Sequence, residues 1–150
     1  MDQKSSVVNH QSSIPTPRVL TPVSRCDIDY NNVKSPFYSE AEREFSPVQD
    51  WTVNDANTLV LEVRGRSANA AATLYVAVED AAKHLAVVAN PDAAAAKTAK
   101  WMEWRISLSS FTGVNFAKVK KLYIGVGDRG TPAAGGAGRL FIDDIRVLRP

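Results

Sequence analysis

Apolar and polar residues alternate with a period of two along most of the chain after residue 38. Because successive side chains of a strand point to opposite faces, this pattern predicts strands that each turn one face to a core. The runs cover residues 59–64, 74–79, 85–87, 101–107, 122–127 and 140–148, with a weaker one over residues 39–45. Six or seven short strands at this spacing predict an all-β fold, an antiparallel β-sandwich of the jelly-roll type.

The phase of the alternation predicts which side chains meet in the core. The expected core residues are Leu61, Val76, Trp104, Ile124 and Ile142. By the same phase Trp101 points outward, whereas Trp51, next to a turn-rich stretch, is expected to anchor packing.

Two local features interrupt the strand pattern. In the last run the apolar phase changes at Asp143 and Asp144, which predicts a β-bulge because a slip of one residue inverts every side chain. Between strands, Asn90 and Pro91 before a run of alanines predict one helix of about two turns over residues 91–96.

Composition divides the chain into a leader and one module. Residues 1–26 are rich in serine and proline and predict a flexible leader, and residues 27–150 predict a single β-sandwich domain. The formal net charge is +2, and no cluster of lysine and arginine favours nucleic acid. A lone Cys26 excludes an internal disulfide, and only two histidines argue against a zinc site. No segment has the apolar length of a membrane span or of a signal peptide.

The outward phase carries aromatic and charged side chains that suit a sugar. An aromatic ring covers the apolar C–H face of a pyranose, while carboxylates and guanidinium groups bond its hydroxyls. An ordinary solvated sheet face with cross-strand pairs is the alternative interpretation. The candidate ligand-binding residues on this phase are Tyr75, Trp101, Tyr123, Arg64, Arg105 and Glu79.

The glycine-rich stretch over residues 125–136 follows a strand but precedes no helix, so it lacks the helix N-terminus that a phosphate site needs. We interpret it as a long inter-strand loop. Asp128 and Arg129 within it are candidates for the rim of a binding site, because functional residues favour loops on rigid scaffolds.

Two adjacent carboxylates at a bulge suggest half of a calcium site, since calcium takes six to eight oxygen ligands. The candidate metal ligands are Asp143 and Asp144, with Glu42 as a complement from the rest of the chain and Asp27, Asp29 or Glu40 as alternatives. A turn cap or a pair with a neighbouring arginine is the competing interpretation.

Catalysis finds little support in the sequence. His84 has no nucleophile motif near it, and no spacing selects two carboxylates for glycoside hydrolysis. We therefore expect no enzymatic activity, and a hydrolase or lyase is the most remote of the alternatives.

From about Tyr30 onward the chain resembles a family of β-sandwich modules, called carbohydrate-binding, galactose-binding-like or discoidin-like, that are attached to large secreted or surface proteins of planctomycete-like environmental bacteria. The similar stretches are residues 38–43 (YSEAER), 49–52 (QDWT), 74–80 (LYVAVED), 101–104 (WMEW), 119–129 (VKKLYIGVGDR) and 141–147 (FIDDIRV). The closing pattern of residues 142–145 (IDDI) is also similar to the last strand of jelly-roll carbohydrate-binding modules, in which an aspartate near this point commonly joins a structural calcium site.

The resemblance implies a non-catalytic module that binds a poly- or oligosaccharide outside the cell or at its surface, with neither nucleic acid nor membrane as partner. A structural or adhesion spacer that binds protein is the main alternative. Members of the family have a further strand before the position of Tyr30, which the leader replaces here. This predicted truncation would leave an open sheet edge, through which two copies could pair as a homodimer.

Overall fold

Two antiparallel sheets pack face to face in a computed structural model that describes residues 5–8 and 26–149. The strands are β1 (Ser5–Val8), β2 (Cys26–Asn31), β3 (Ser39–Gln49), β4 (Thr58–Arg64), β5 (Leu74–Asp80), β6 (Leu85–Ala89), β7 (Met102–Ser107), β8 (Val119–Val126) and β9 (Ala137–Leu148). The five-stranded sheet has the order β1-β3-β8-β5-β6, and the four-stranded sheet has the order β2-β9-β4-β7. The predicted antiparallel β-sandwich is confirmed.

One strand lies within the predicted leader, and a second begins at its last residue, Cys26. β2 pairs with β9 from Cys26 to Asn31 and turns Ile28 and Tyr30 into the core. β1 lies within the predicted leader and pairs with β3. The structure thus corrects the expected truncation before Tyr30, because the short alternation of Cys26, Ile28 and Tyr30 was hidden between aspartates. Residues 1–4 and 9–25 of the predicted leader lie outside the described residues.

The five residues predicted for the core are confirmed there, since Leu61, Val76, Trp104, Ile124 and Ile142 belong to one buried cluster between the sheets. Trp51 is buried at one end of this cluster and stacks on Phe116 with ring centroids 6.0 Å apart. Its expected role as a packing anchor is confirmed as well.

The predicted bulge in β9 is present. Pairing with β4 slips between Val60 and Glu62, and Asp144 adopts a φ of 52° in the left-handed region. The slip allows Ile142 before the bulge and Ile145 after it to point into the same core. Asp143 Oδ1 accepts a hydrogen bond of 2.8 Å from the Asp144 amide, which stabilises the bulge locally.

The helix expected over residues 91–96 is absent. In its place a single 3₁₀ turn spans Ala95–Lys97, and the side chains of Asn90 and Asp92 accept hydrogen bonds from the backbone amides two residues further on. The Ala96 carbonyl accepts from the Asn69 side chain, so the backbone is recruited by a neighbouring loop rather than by a helix. Among the described residues, no helix has the length and apolar character that crossing a membrane would require.

Candidate functional site

The predicted ligand-binding residues divide between two opposite outer faces. Tyr75, Glu79 and Tyr123 occupy outward positions of the five-stranded sheet. Arg64 and Arg105 lie in the four-stranded sheet, and Trp101, 39% exposed, directly precedes its edge strand β7. The prediction of one surface that contains all of them is wrong. Alternation separates inward from outward positions, but a sandwich has two outer faces, and alternation does not tell them apart.

On the five-stranded sheet, three neighbouring strands place Glu40, Gly125 and Tyr75 in one row. Gly125 has no side chain, and a Cβ there would lie 2.4 Å from the Tyr75 ring and 2.8 Å from Glu40 Cβ. The phenol therefore crosses β8 in the space above Gly125, and Tyr75 Oη donates a hydrogen bond of 2.5 Å to Glu40 Oε1.

Arg129, from the loop between β8 and β9, covers this row. Its Nε and Nη2 donate to Oε1 and Oε2 of Glu40 at 2.7 Å and 3.2 Å. Its guanidinium carbon lies 4.6 Å from the centroid of the Tyr123 ring. Tyr75 is consequently 1% exposed and Tyr123 5% exposed. Tyr75 and Tyr123 therefore form no open aromatic platform for a sugar, because Arg129 covers them.

The electrostatics of this cluster, formed by Glu40, Tyr75, Tyr123 and Arg129, favour one charge state. Burial and the neighbouring Glu40 carboxylate raise the pKa of Tyr75, and burial followed by the nearby glutamates raises the pKa of Tyr123. The hydrogen bond to Glu40 raises the pKa of Arg129 above its usual value. At neutral pH both phenols therefore remain protonated while the guanidinium remains charged.

The loop that carries Arg129 is fixed at its start. Asp128 Oδ1 accepts hydrogen bonds of 2.9 Å and 3.0 Å from the amides of Gly130 and Thr131. Gly127 adopts a φ of 115°, and a Cβ there would lie 2.9 Å from Tyr38 Cβ, so only glycine fits. These contacts direct the following residue, Arg129, back over the sheet.

A groove of about 300 Å³ lies between this loop and the edge strand β6. Val87, 47% exposed, and Ala89 supply apolar surface, while Asp128 and Arg129 supply polar groups. An apolar concavity with a few polar groups is the usual form of a small-ligand site. Among the residues named from sequence, Tyr75, Asp128 and Arg129 are brought together here.

Sequence reasoning missed three contributors to this site. The alternation in residues 85–87 placed Val87 in the core phase, whereas Leu85 and Val87 are exposed and Ala86 packs against the core. Both phases of this edge strand are apolar, so periodicity alone could not choose between them. Glu40 was considered for a site only as a calcium ligand, and Gly125 was placed in a strand and at the start of a loop without a role in a site.

The candidate metal ligands do not converge. Glu42 lies in β3 of the five-stranded sheet and forms an ion pair of 3.8 Å with Lys121, whereas Asp143 and Asp144 lie in β9 of the other sheet. Within residues 5–8 and 26–149, no three histidine, cysteine or acidic side chains are grouped to hold an ion. The predicted trio therefore does not fit calcium. Calcium binding at Asp143 and Asp144 alone stays a prediction that a melting curve with chelator would test.

The outer face of the four-stranded sheet has a different character. Arg146 bridges Glu62 and Glu103 at 3.7 Å and 3.2 Å, and Arg105 pairs with Glu103 at 2.8 Å. Arg139 forms an ion pair with Asp29 on the neighbouring strand. These are cross-strand and local pairs of a solvated sheet face, as the alternative interpretation of the outward residues expected.

Solved structures of other proteins share this architecture. The sequence matches no protein-family model and no curated protein. An exo-β-agarase matches over 97% of this chain and 23% of its own, with a TM-score of 0.71 and 13% identity. The family 11 carbohydrate-binding module from Clostridium thermocellum, solved with a β-1,3-1,4-mixed-linked tetrasaccharide, matches over 97% of this chain and 88% of its own, with a TM-score of 0.61 and 11% identity.

This chain has the β-sandwich fold of carbohydrate-binding modules. A family 30 carbohydrate-binding module agrees, with a TM-score of 0.57 and 12% identity over 93% of this chain and 82% of its own. The chain spans less than a quarter of the agarase but nearly the whole length of the isolated modules. The fold predicted by the resemblance is thereby confirmed.

Proposed function

We propose that this chain is a non-catalytic carbohydrate-binding module whose ligand lies in the groove between β6 and the β8–β9 loop. The observation that carries the proposal is the groove itself, on the outer face of a sandwich of this fold. Its apolar surface at Val87 and Ala89 suits the C–H face of a sugar ring, and the Asp128 carboxylate suits its hydroxyls.

The size of the groove bounds the strength of binding. About 300 Å³ accommodates one or two sugar rings, and little of their surface would be enclosed. After the cost of association, such a contact implies weak binding, roughly micromolar to millimolar for a short oligosaccharide. Repeated sites along a polysaccharide would raise the apparent affinity.

The carboxylates at the groove are engaged in ways that favour binding over chemistry. Tyr75 donates a hydrogen bond to Glu40 Oε1, and Asp128 Oδ1 accepts hydrogen bonds from the amides of Gly130 and Thr131 in its own turn. Glycoside hydrolysis requires two carboxyl groups free to reach the scissile bond from opposite sides. We accordingly expect no release of reducing ends from any polysaccharide that the protein binds.

Two structural neighbours support a proposal about the setting of the module. One is a domain-sized part of an agarase, and another is a module of a cellulosomal cellulase, each part of a larger carbohydrate-active protein. We propose by analogy that this chain acts outside the cell or at its surface as part of a larger protein.

Affinity electrophoresis in polyacrylamide tests the proposal, with barley mixed-linkage β-glucan or agarose cast in the gel. Val87→Arg introduces a long charged side chain into the groove at an exposed strand position, so we expect it to abolish retardation. Val53→Arg places the same change at another exposed valine, outside the groove, and is expected to migrate as wild type. Trp101→Ala alters the opposite sheet and should also behave as wild type.

The results separate the alternatives. Loss of retardation with Trp101→Ala but not with Val87→Arg would move the site to the four-stranded sheet. No retardation of the wild-type protein across a broad panel of polysaccharides would favour the spacer or adhesion function, with which the covered tyrosines Tyr75 and Tyr123 agree.

A further inference from the structure

The guanidinium of Arg129 occupies a position with two properties of a sugar subsite. Its carbon lies over an aromatic ring, 4.6 Å from the Tyr123 centroid. Its edge presents two N–H groups to the two oxygens of Glu40. A group that lies over an aromatic ring and donates hydrogen bonds to a carboxylate occupies the kind of position in which proteins also hold a pyranose.

At Glu40, a sugar can make the same kind of paired hydrogen bonds that the guanidinium of Arg129 makes. A carboxylate that accepts two parallel hydrogen bonds from a guanidinium can accept them from the two O–H groups of a vicinal diol. The carboxylate is held in place independently of Arg129, because Tyr75 Oη also donates to it across Gly125. Removal of the arginine would therefore leave a preformed acceptor beside an exposed ring.

Arg129 can leave this position by side-chain rotation alone. It lies on a loop with its side chain 22% exposed, and the groove adjoins it on one side. The contacts that fix the loop involve Asp128 and Gly127 rather than Arg129. Displacement thus costs the interactions with Glu40 and Tyr123 but does not unfold the loop.

We infer that the Tyr123 ring and the Glu40 carboxylate form a sugar subsite which Arg129 covers in the unliganded protein, and that the ligand is an uncharged sugar with a vicinal diol. This inference rests on the function proposed above. It makes Arg129 a competitor for the subsite rather than a contact to the sugar, so its removal strengthens binding.

The surrounding charges support an uncharged ligand. On the same face Glu42 and Glu44 form ion pairs with Lys121 and Lys120, so those lysines are already neutralised. Once Arg129 leaves, no guanidinium balances the negative charge of Glu40, and Asp128 adds a second carboxylate in the groove that adjoins Arg129. A uronic acid or a sulfated sugar would meet repulsion at this point.

The experiment compares wild type, Arg129→Lys and Arg129→Ala by affinity electrophoresis and calorimetry with mixed-linkage β-glucan oligosaccharides, agarose and alginate. Lysine keeps the charge but loses the paired geometry, so it holds Glu40 less firmly. We expect the neutral glycan to bind about threefold more tightly to Arg129→Lys and about tenfold more tightly to Arg129→Ala, with no binding of alginate. Arg105→Ala, which breaks an arginine–glutamate pair on the opposite face, should leave affinity unchanged.

The role of the Tyr123 ring as a stacking surface is tested separately. Tyr123→Leu in the Arg129→Lys background should cancel the gain in affinity, because the sugar loses its stacking surface. Melting curves identify any variant that fails to fold, and Arg129→Lys, which retains the charge opposite Glu40, then decides the question.

The outcomes distinguish this inference from the function on which it rests. If wild type binds a glycan and Arg129→Lys binds equally or more weakly, the subsite is not beneath Arg129, although the module still binds sugar. Preferential binding of alginate would likewise overturn the inference alone. If neither wild type nor any variant binds a polysaccharide, the proposed function fails with it.

Discussion

The two outer faces of this sandwich hold their outward side chains by different contacts. The four-stranded sheet carries a set of ion pairs, in which Arg105 and Glu103 are largely exposed and Arg146 and Glu62 are partly buried. The five-stranded sheet buries two tyrosines and a glutamate beneath one arginine and leaves Val87 exposed beside them. Exposed pairs are each worth about 0–1 kcal/mol and serve mainly solubility, whereas a buried charged cluster must be fully bonded to be tolerated.

The difference supports the proposal that the five-stranded face binds the ligand. No side-chain polar atom buried within the described residues lacks a hydrogen-bond partner, so the cluster on the five-stranded sheet is fully satisfied. It nevertheless lies on an outer face, where solvent could have satisfied the same groups without burial. A bonded but surface-located cluster beside a groove is an arrangement that a ligand can replace group by group.

The largest difference in stability should be between alanine variants of two tryptophans, Trp101 just before β7 and Trp104 within it. Trp104 packs in the core between the sheets, and Trp104→Ala should lower the free energy of unfolding by about 3–5 kcal/mol. Trp101, outside the core, should cost less than about 1 kcal/mol when replaced by alanine. Urea denaturation of both variants measures this, and a loss below about 1 kcal/mol for Trp104→Ala would contradict the assignment of faces.

Gly125→Ala tests the five-stranded face directly. The added Cβ would lie 2.4 Å from the Tyr75 ring, so the phenol must move and its bond to Glu40 must weaken. We expect a loss of about 1–3 kcal/mol, the usual cost of overpacking, together with altered sugar binding. Gly130→Ala is the matched control on the neighbouring loop, since its nearest contact would be 3.5 Å, and it should change stability by less than about 0.5 kcal/mol. Equal effects at the two glycines would show that the position of Tyr75 does not depend on the absence of a side chain at Gly125.

Much of the fold could be predicted because period-two alternation is a local property. It correctly placed Trp104 inside and Trp101 outside, and the phase change at Asp143 revealed the bulge. Period-two alternation was not informative at the edge strands β6 and β2. Both phases of residues 85–89 are apolar, and β2 is short and divided by aspartates.

The site was less predictable because it depends on contacts between residues far apart in sequence. Glu40, Tyr75 and Arg129 meet only after β3, β5 and β8 have paired, and the row depends on the absence of a side chain at Gly125. A single sequence does not specify this pairing, so Tyr75 and Trp101 had equal standing as outward aromatic residues. The loop residues Asp128 and Arg129 were identified only as candidates for a rim.

Asp80, at the end of β5, gives a pH test of the five-stranded sheet. Its buried carboxylate accepts hydrogen bonds from the backbone amides of Ala82, His84 and Asn115. Desolvation opposes ionisation, but these hydrogen bonds outweigh it and lower the pKa of Asp80 to about 2. The folded-state pKa is depressed, so its stabilisation is complete above the unfolded value near 3.8 and is lost as the pH falls toward 2.

Asp80→Ala should accordingly lower stability at pH 7 by about 1–3 kcal/mol, because it leaves three part-buried amide groups without their acceptor. It should also flatten the dependence of melting temperature on pH between about 4 and 2. Asp92→Ala, which removes a carboxylate from an exposed turn, is the control and should do neither. If the melting temperature of Asp80→Ala falls between about pH 4 and 2 as steeply as that of wild type, other carboxylates govern unfolding in acid.

The smallest effect belongs to the four-stranded face. Arg105 pairs with Glu103 where both side chains are largely exposed, so Arg105→Ala should change the free energy of unfolding by no more than about 0.5 kcal/mol. Added salt screens such a pair, and the difference from wild type should disappear at about 1 M salt. Denaturation at low and high salt measures both quantities. A salt-independent loss above about 1 kcal/mol would show that this face, too, contains an interaction shielded from solvent, and the contrast between the two faces would then have to be abandoned.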